Sequence, residues 1–408
     1  MKQVRSGMQV SAILAAALFL SACGGSGAGG STDPSAAPAT AESSAEQSAA
    51  TKELQLVSAG NADGYYTTEE WGNAAIVTYI DYASRQQMPL CSRPECAHSD
   101  SSCTAYALIE NMAVPVLALL EDQLVIIQTA PTEDAPARVM LCRPDGSNPQ
   151  TLCQLDATVT LRPEIYTDAQ NLYALAGTVQ NSTPVMQLIR ISLQDGRVDL
   201  LYTFPENSDA QLLTGFGTRL GLSLAYEELS TGETRYAVEL YDTATGEMEQ
   251  PLVEQPFDSQ QGATLFGDVL VQTTGQQATF TDLSDGTILT WQADTLAAQA
   301  GMPNAQIIVF GLWDGWYRVQ LLDAETNRIA DYHVNPSTGE TIPMTLYYKD
   351  QQNVILVLAQ SGDNLLVRAA WNMQQSGGDI TSLRPVYALI SRDDYLHSRP
   401  NYQYITGM

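Results

Sequence analysis

The stretch MQLIRISLQDGRVDLLY, Met186–Tyr202, trades apolar for polar residues at period two, turns at Asp195-Gly196 and resumes as a second short strand. That alternation is the mark of a half-buried strand, and Asp-Gly suits a tight hairpin because both residues tolerate positive φ. A matching pattern recurs along the chain. Its hairpin turns fall at Asp145-Gly146, Asp195-Gly196, Asp242 with Gly246, Asp285-Gly286, and Asn335 with Gly339. Another set of turns, each between two apolar runs, falls near positions 64, 122, 169, 218, 267, 315 and 363, in steps of 58, 47, 49, 49, 48 and 48.

Two hairpins per repeat make four strands. Four-stranded units at a period of about 40–50 residues are the signature of an all-β β-propeller, in which each blade buries its faces against its neighbours. Seven blades fit the count; the short unit from Asp268 to Gly286 leaves six or eight open. The first step is longer than the rest, and its excess falls in Cys91–Cys103, an insertion between the first and second blades. The recurrent aspartates read as turn formers, since one carboxylate per hairpin makes no calcium shell.

Outward from the repeats, the N-terminus reads as a lipoprotein leader over 1–22. Lys2 and Arg5 precede an apolar run, which ends in Leu20-Ser21-Ala22-Cys23, with Cys23 the lipid acceptor. Residues 23–52 are a Ser/Ala/Gly-rich linker that cannot bury enough surface to fold, and 53–408 form the propeller domain. Membrane attachment is then through lipid, and the expected location is the bacterial cell envelope, outside the cytoplasm. Loss of Lys2 and Arg5 with the leader leaves 17 basic against 46 acidic residues, a net of −29. Such a surface disfavours nucleic acid and anionic lipid headgroups.

The segment LCSRPECAHSDSSC, Leu90–Cys103, carries three of the six cysteines and one of the three histidines. Setting Cys23 aside leaves five thiols in an oxidising compartment. Cys142 and Cys153 bracket the hairpin CRPDGSNPQTLC and are expected to face each other closely enough for a disulfide. In that case Cys91, Cys96, His98 and Cys103 remain, a complete tetrahedral set for one structural zinc. The competing reading is a disulfide within the cluster plus one free thiol.

The run YIDYASRQQMPLCSRPECAHSDSSCTAY and the ending ALISRDDYLHSRPNYQYI resemble a broad group of uncharacterised bacterial lipoproteins with TolB-like β-propeller domains, whose first blade carries a Cys-x4-Cys-x-His-x4-Cys motif. The resemblance implies fold and location and no activity. The pair Cys142 and Cys153 departs from that group's pattern.

Catalytic signatures are missing. There is no Gly-x-Ser-x-Gly elbow, phosphate loop, dinucleotide fingerprint or His-Glu-x-x-His motif in the chain. Trp71, Trp313 and Trp316 flank tight turns, where they either stack on a ligand or pack between blades. The expected function is therefore a binding scaffold for an envelope protein, peptide or glycan, held at the channel mouth or the loops of one face. The alternative is a propeller-type carbohydrate-active enzyme with paired Asp/Glu.

Overall fold

A computed structural model describes residues 53–407 apart from 72–73, 94, 110–114, 133–134, 181–182, 229–230, 259–260, 349–353 and 377–378. The leader, Cys23 and the whole of the linker lie outside the described residues. The chain is an all-β, seven-bladed propeller. Each blade is a meander whose strands follow one another in sequence, as in Gln306–Gly311, Tyr317–Asp323, Arg328–Asn335 and Glu340–Pro343 of blade 6. In blade 1 the three strands Gly64–Trp71, Ala74–Asp81 and Gln86–Pro89 are joined at the inner position by a bridge from Gly60 to Tyr65.

Aspartates build the outer turns. The carboxylates of Asp145, Asp195 and Asp242 each accept the backbone N–H two residues on, at 2.8, 3.2 and 2.8 Å. Gly146, Gly196 and Gly246 close these turns with φ of 79°, 72° and 76°. At Gly196 a Cβ would sit 2.2 Å from the Leu152 carbonyl oxygen, so both the left-handed conformation and the close approach require glycine.

Apolar residues gather into seven buried clusters, one for each interface of the ring. The largest joins blades 5 and 6 around Val271, Phe280, Val319 and Leu321. The smallest joins blade 7 to blade 1 and holds four buried residues, Ile80, Leu366, Tyr387 and Leu389. Among the described residues the ring closes at that seam through side chains and through backbone pairing of the C-terminal tail. Ser361 donates to the Ala62 carbonyl, and Thr406 pairs with Gln86 on the outer edge of blade 1.

Residues 54–60 run along the channel rim. The innermost strand of a blade has a free edge of unpaired backbone groups, and this segment meets four blades in turn. The Leu54 N–H donates to Gly217 of blade 4 and the Val57 N–H to Ile165 beside blade 3. Ser58 then accepts from Leu119 of blade 2 and Ala59 from Tyr66 of blade 1. Between them Gln55–Leu56 adds a short antiparallel strand to Tyr166–Thr167 of blade 3. Leu54 is buried between blades 3 and 4.

Candidate metal centre and the cleft at the closing seam

The Cys/His loop leaves blade 1 after Pro89 and precedes the first strand of blade 2, Val116–Leu120. Its polar sequence forms no strand, and its folding depends on two left-handed residues that are not glycine, Glu95 at φ 54° and His98 at φ 52°. Each reverses the chain locally, so that side chains seven and twelve residues after Cys91 return to it. Cys103 then starts the short helix Thr104–Ala107, whose Ala105 is buried with Leu108, Tyr66, Ile76 and Leu124 between blades 1 and 2.

The result is convergence. The ligand atoms of Cys91, Cys96, His98 and Cys103 all lie within 4.8 Å of one another, and His98 Nδ1 is 3.2 Å from Cys103 Sγ. A zinc tetrahedron with Zn–S of about 2.3 Å and Zn–N of about 2.0–2.1 Å has edges of roughly 3.5–3.8 Å, so the group fits a metal of that size. Arg93 draws the loop together by donating to the Ser102 carbonyl at 2.6 Å and to Cys96 Sγ at 3.6 Å. Burial pushes the Cys103 thiol up to about 11, whereas the His98 N–H bonds Cys96 and holds its thiol below the ordinary range.

The expected Cys142–Cys153 bridge does not form; both thiols are free. Pairing is centred on Asp145-Gly146, so Leu141 faces Gln150, and a bulge then sets Cys153 opposite Val139. Cys142 is three residues along the strand, roughly 10 Å away at about 3.3 Å per residue, beyond disulfide reach. The two also point to opposite faces of blade 2. Cys142 is buried against blade 1 and donates to Leu124, while Cys153 packs towards blade 3.

Of the aromatic candidates, Trp313 is no loop-tip contact. It is buried between blades 6 and 7, with Tyr395 5.7 Å away and the Arg392 guanidinium 4.9 Å over its ring. A strand-flanking indole has more apolar surface to bury there than any turn would expose. Trp316 is half-buried, and its N–H bonds the Trp313 carbonyl. Trp71 ends the second strand of blade 1, and its side chain lies outside what is described.

The closing seam holds a feature that no motif announces. A cleft of about 110 Å³ is lined by Glu69 and Gln87 of blade 1, by Asn372 and Arg384–Tyr387 of blade 7, and by Ile405 and Gly407 of the tail. Glu69 is only 9% exposed, so burial raises its carboxyl above the ordinary value. The Tyr387 hydroxyl at 2.7 Å and the Gln87 amide at 3.1 Å both donate to its Oε1, and the nearby Arg384 and Arg368 oppose the rise. One signal in the sequence marks this site. Second strands of blades are covered on both faces, as the buried run of Gln123–Gln128 shows, so the Glu-Glu pair of GYYTTEEW is a weak pointer that RLGLSLAYEE of blade 4 shares.

No protein-family model matches the chain, and no curated protein matches it. Among solved structures it is similar to the acylaminoacyl peptidase of Pyrococcus horikoshii, at 8% identity and a TM-score of 0.50 over 87% of this chain and 53% of that one. The chain thus spans about half the peptidase's length. It is also similar to the β-propeller domain of the Trilobed protease from Pyrococcus furiosus (8% identity, TM-score 0.47, 87% and 98% covered). TolB from Acinetobacter baumannii aligns at 12% identity and a TM-score of 0.37, over 82% and 77% of the two chains. At such identities the likeness is one of fold: this chain shares the β-propeller architecture.

Proposed function

We propose that the protein is a lipid-anchored, extracytoplasmic binding scaffold, tethered through Cys23 and carrying one structural zinc on Cys91, Cys96, His98 and Cys103. The observation that carries the reading is the course of residues 54–60 along the channel rim. Leu54 lies on the side of the ring that carries the turns near Gly217 and Asp168, and a tether preceding it would leave from there. Loops on the opposite side are then left free for an envelope protein, a peptide or a glycan.

Zinc would act as a staple. Two left-handed non-glycine residues cost roughly 1–2 kcal/mol each, and a metal bond set offsets that cost. Four protein ligands fill a tetrahedral shell and leave no position for substrate, so the ion would hold the insertion between blades 1 and 2 without reacting. The enzymatic alternative needs a second carboxyl group about 5–10 Å from the first. Among the described residues that line the seam cleft, one carries a carboxyl group, Glu69.

Anchoring is tested by fractionating cells that express the full chain and its Cys23→Ser variant. The parent should sediment with membranes and the variant should be released in soluble form. A variant that stays with the membranes would overturn lipid attachment at Cys23.

A further inference from the structure

We infer that the cleft between blades 7 and 1 is a binding site for a small zwitterionic α-amino acid, its ammonium group on Glu69 and its carboxylate on Arg384. The inference deepens the scaffold reading by naming a ligand class, but it does not depend on the anchor.

Four observations carry it. The seam has the least apolar packing of the seven interfaces among the described residues, and polar groups occupy the space instead. Unlike charges line one cleft without joining: no ion pair links Glu69 to Arg384 among the described residues, although the guanidinium acts on the carboxyl through space. Among the described residues both donors to Glu69 fall on Oε1, which leaves Oε2 for an ammonium donor. Finally, the cleft has apolar walls in Pro385, Val386 and Ile405.

Size narrows the class. A volume of about 110 Å³ is somewhat less than the roughly 150 Å³ of an engineered cavity that accepts benzene. By that measure it admits about five non-hydrogen atoms, the size of glycine, with alanine as the upper limit. Arginine presents a planar fork to a carboxylate, and a carboxylate is the natural acceptor for an ammonium group. A ligand with only one charge leaves the opposite group desolvated and unpaired, which costs affinity. The cleft therefore selects for a small ligand that carries both charges, as an α-amino acid does. Gly407 seals one side, since a Cβ there would lie 2.4 Å from the Gln87 carbonyl oxygen.

The test is isothermal titration of the full-length protein with glycine and L-alanine, beside propionate and n-propylamine, which each keep one charge. The same titrations are made on Glu69→Gln and Arg384→Gln. Glu69→Gln keeps an oxygen for Tyr387 and Gln87, and unchanged melting of both variants shows that they are folded. Saturable binding of an amino acid is expected, weakened at least about tenfold by either substitution and by loss of either ligand charge. Absence of amino-acid binding overturns the inference, as does binding that survives both substitutions. Propionate binding as well as alanine would make the cleft an anion site and would equally overturn it. None of these outcomes bears on membrane attachment, which the Cys23→Ser variant reports separately.

Discussion

His333 is fully enclosed between blades 6 and 7, with its Nδ1 2.7 Å from the Leu396 carbonyl oxygen. A carbonyl can only accept, so Nδ1 carries the proton, and Nε2 has no partner among the described residues. Burial, with smaller contributions from Arg318 and His397, lowers this imidazole from 6.5 to about 4. The unfolded chain therefore binds a proton that the folded chain refuses. The contribution is complete above pH 6.5 and is lost as pH falls towards 4. It amounts to on the order of 3 kcal/mol for a buried group with such a shift. Urea melts of the parent and of His333→Phe at pH 7.5 and 4.5 should show a steeper decline for the parent. Equal declines would mean that His333 is not held neutral. Glu69 shows the opposite sign: its raised carboxyl favours the protonated form in the fold, so its contribution is present below the ordinary value and lost as pH rises through the raised one.

At the scale of elements, the turns were legible because one residue type does one job. Asp-Gly marks a hairpin wherever it stands between alternating strands, and the near-constant spacing of the other turn of each unit, near 122, 169, 218, 267, 315 and 363, counted the blades. Pairing within a hairpin was not legible. The bulge between Val139 and Met140 depends on how blade 2 packs against both neighbours, and it separates two cysteines whose symmetry in the sequence pointed to a bridge. Convergence of the Cys/His loop was legible from ligand type and spacing, although one of its backbone reversals falls on Glu95, a residue with no preference for positive φ. The path of residues 54–60 was hidden for another reason. A run as short as Leu54-Gln55-Leu56-Val57 has too few periods to declare a strand, and its partners lie more than a hundred residues away. Its docking makes a direct prediction. Leu54 is 2% exposed, so Leu54→Ala should cost about 2–4 kcal/mol in denaturant unfolding. A cost below about 1 kcal/mol would show that the segment is not held in the ring.

The whole molecule is a ring whose parts differ in how they are held. Most interfaces are apolar and continuous, which fits a scaffold whose blades are fixed relative to one another. Two places depart from that pattern, the polar seam between blades 7 and 1 and the insertion between blades 1 and 2. The seam supplies the cleft, and the insertion supplies the Cys/His group. In this account the insertion is held by a closed metal centre, and that claim is tested most directly by measuring metal and thiols together on the purified full-length protein. One zinc per chain is predicted. Once the metal is chelated and the chain denatured, Cys91, Cys96, Cys103, Cys142 and Cys153 should all titrate as thiols. A metal-free protein with a disulfide among Cys91, Cys96 and Cys103 would contradict the account and make the loop a covalent bend.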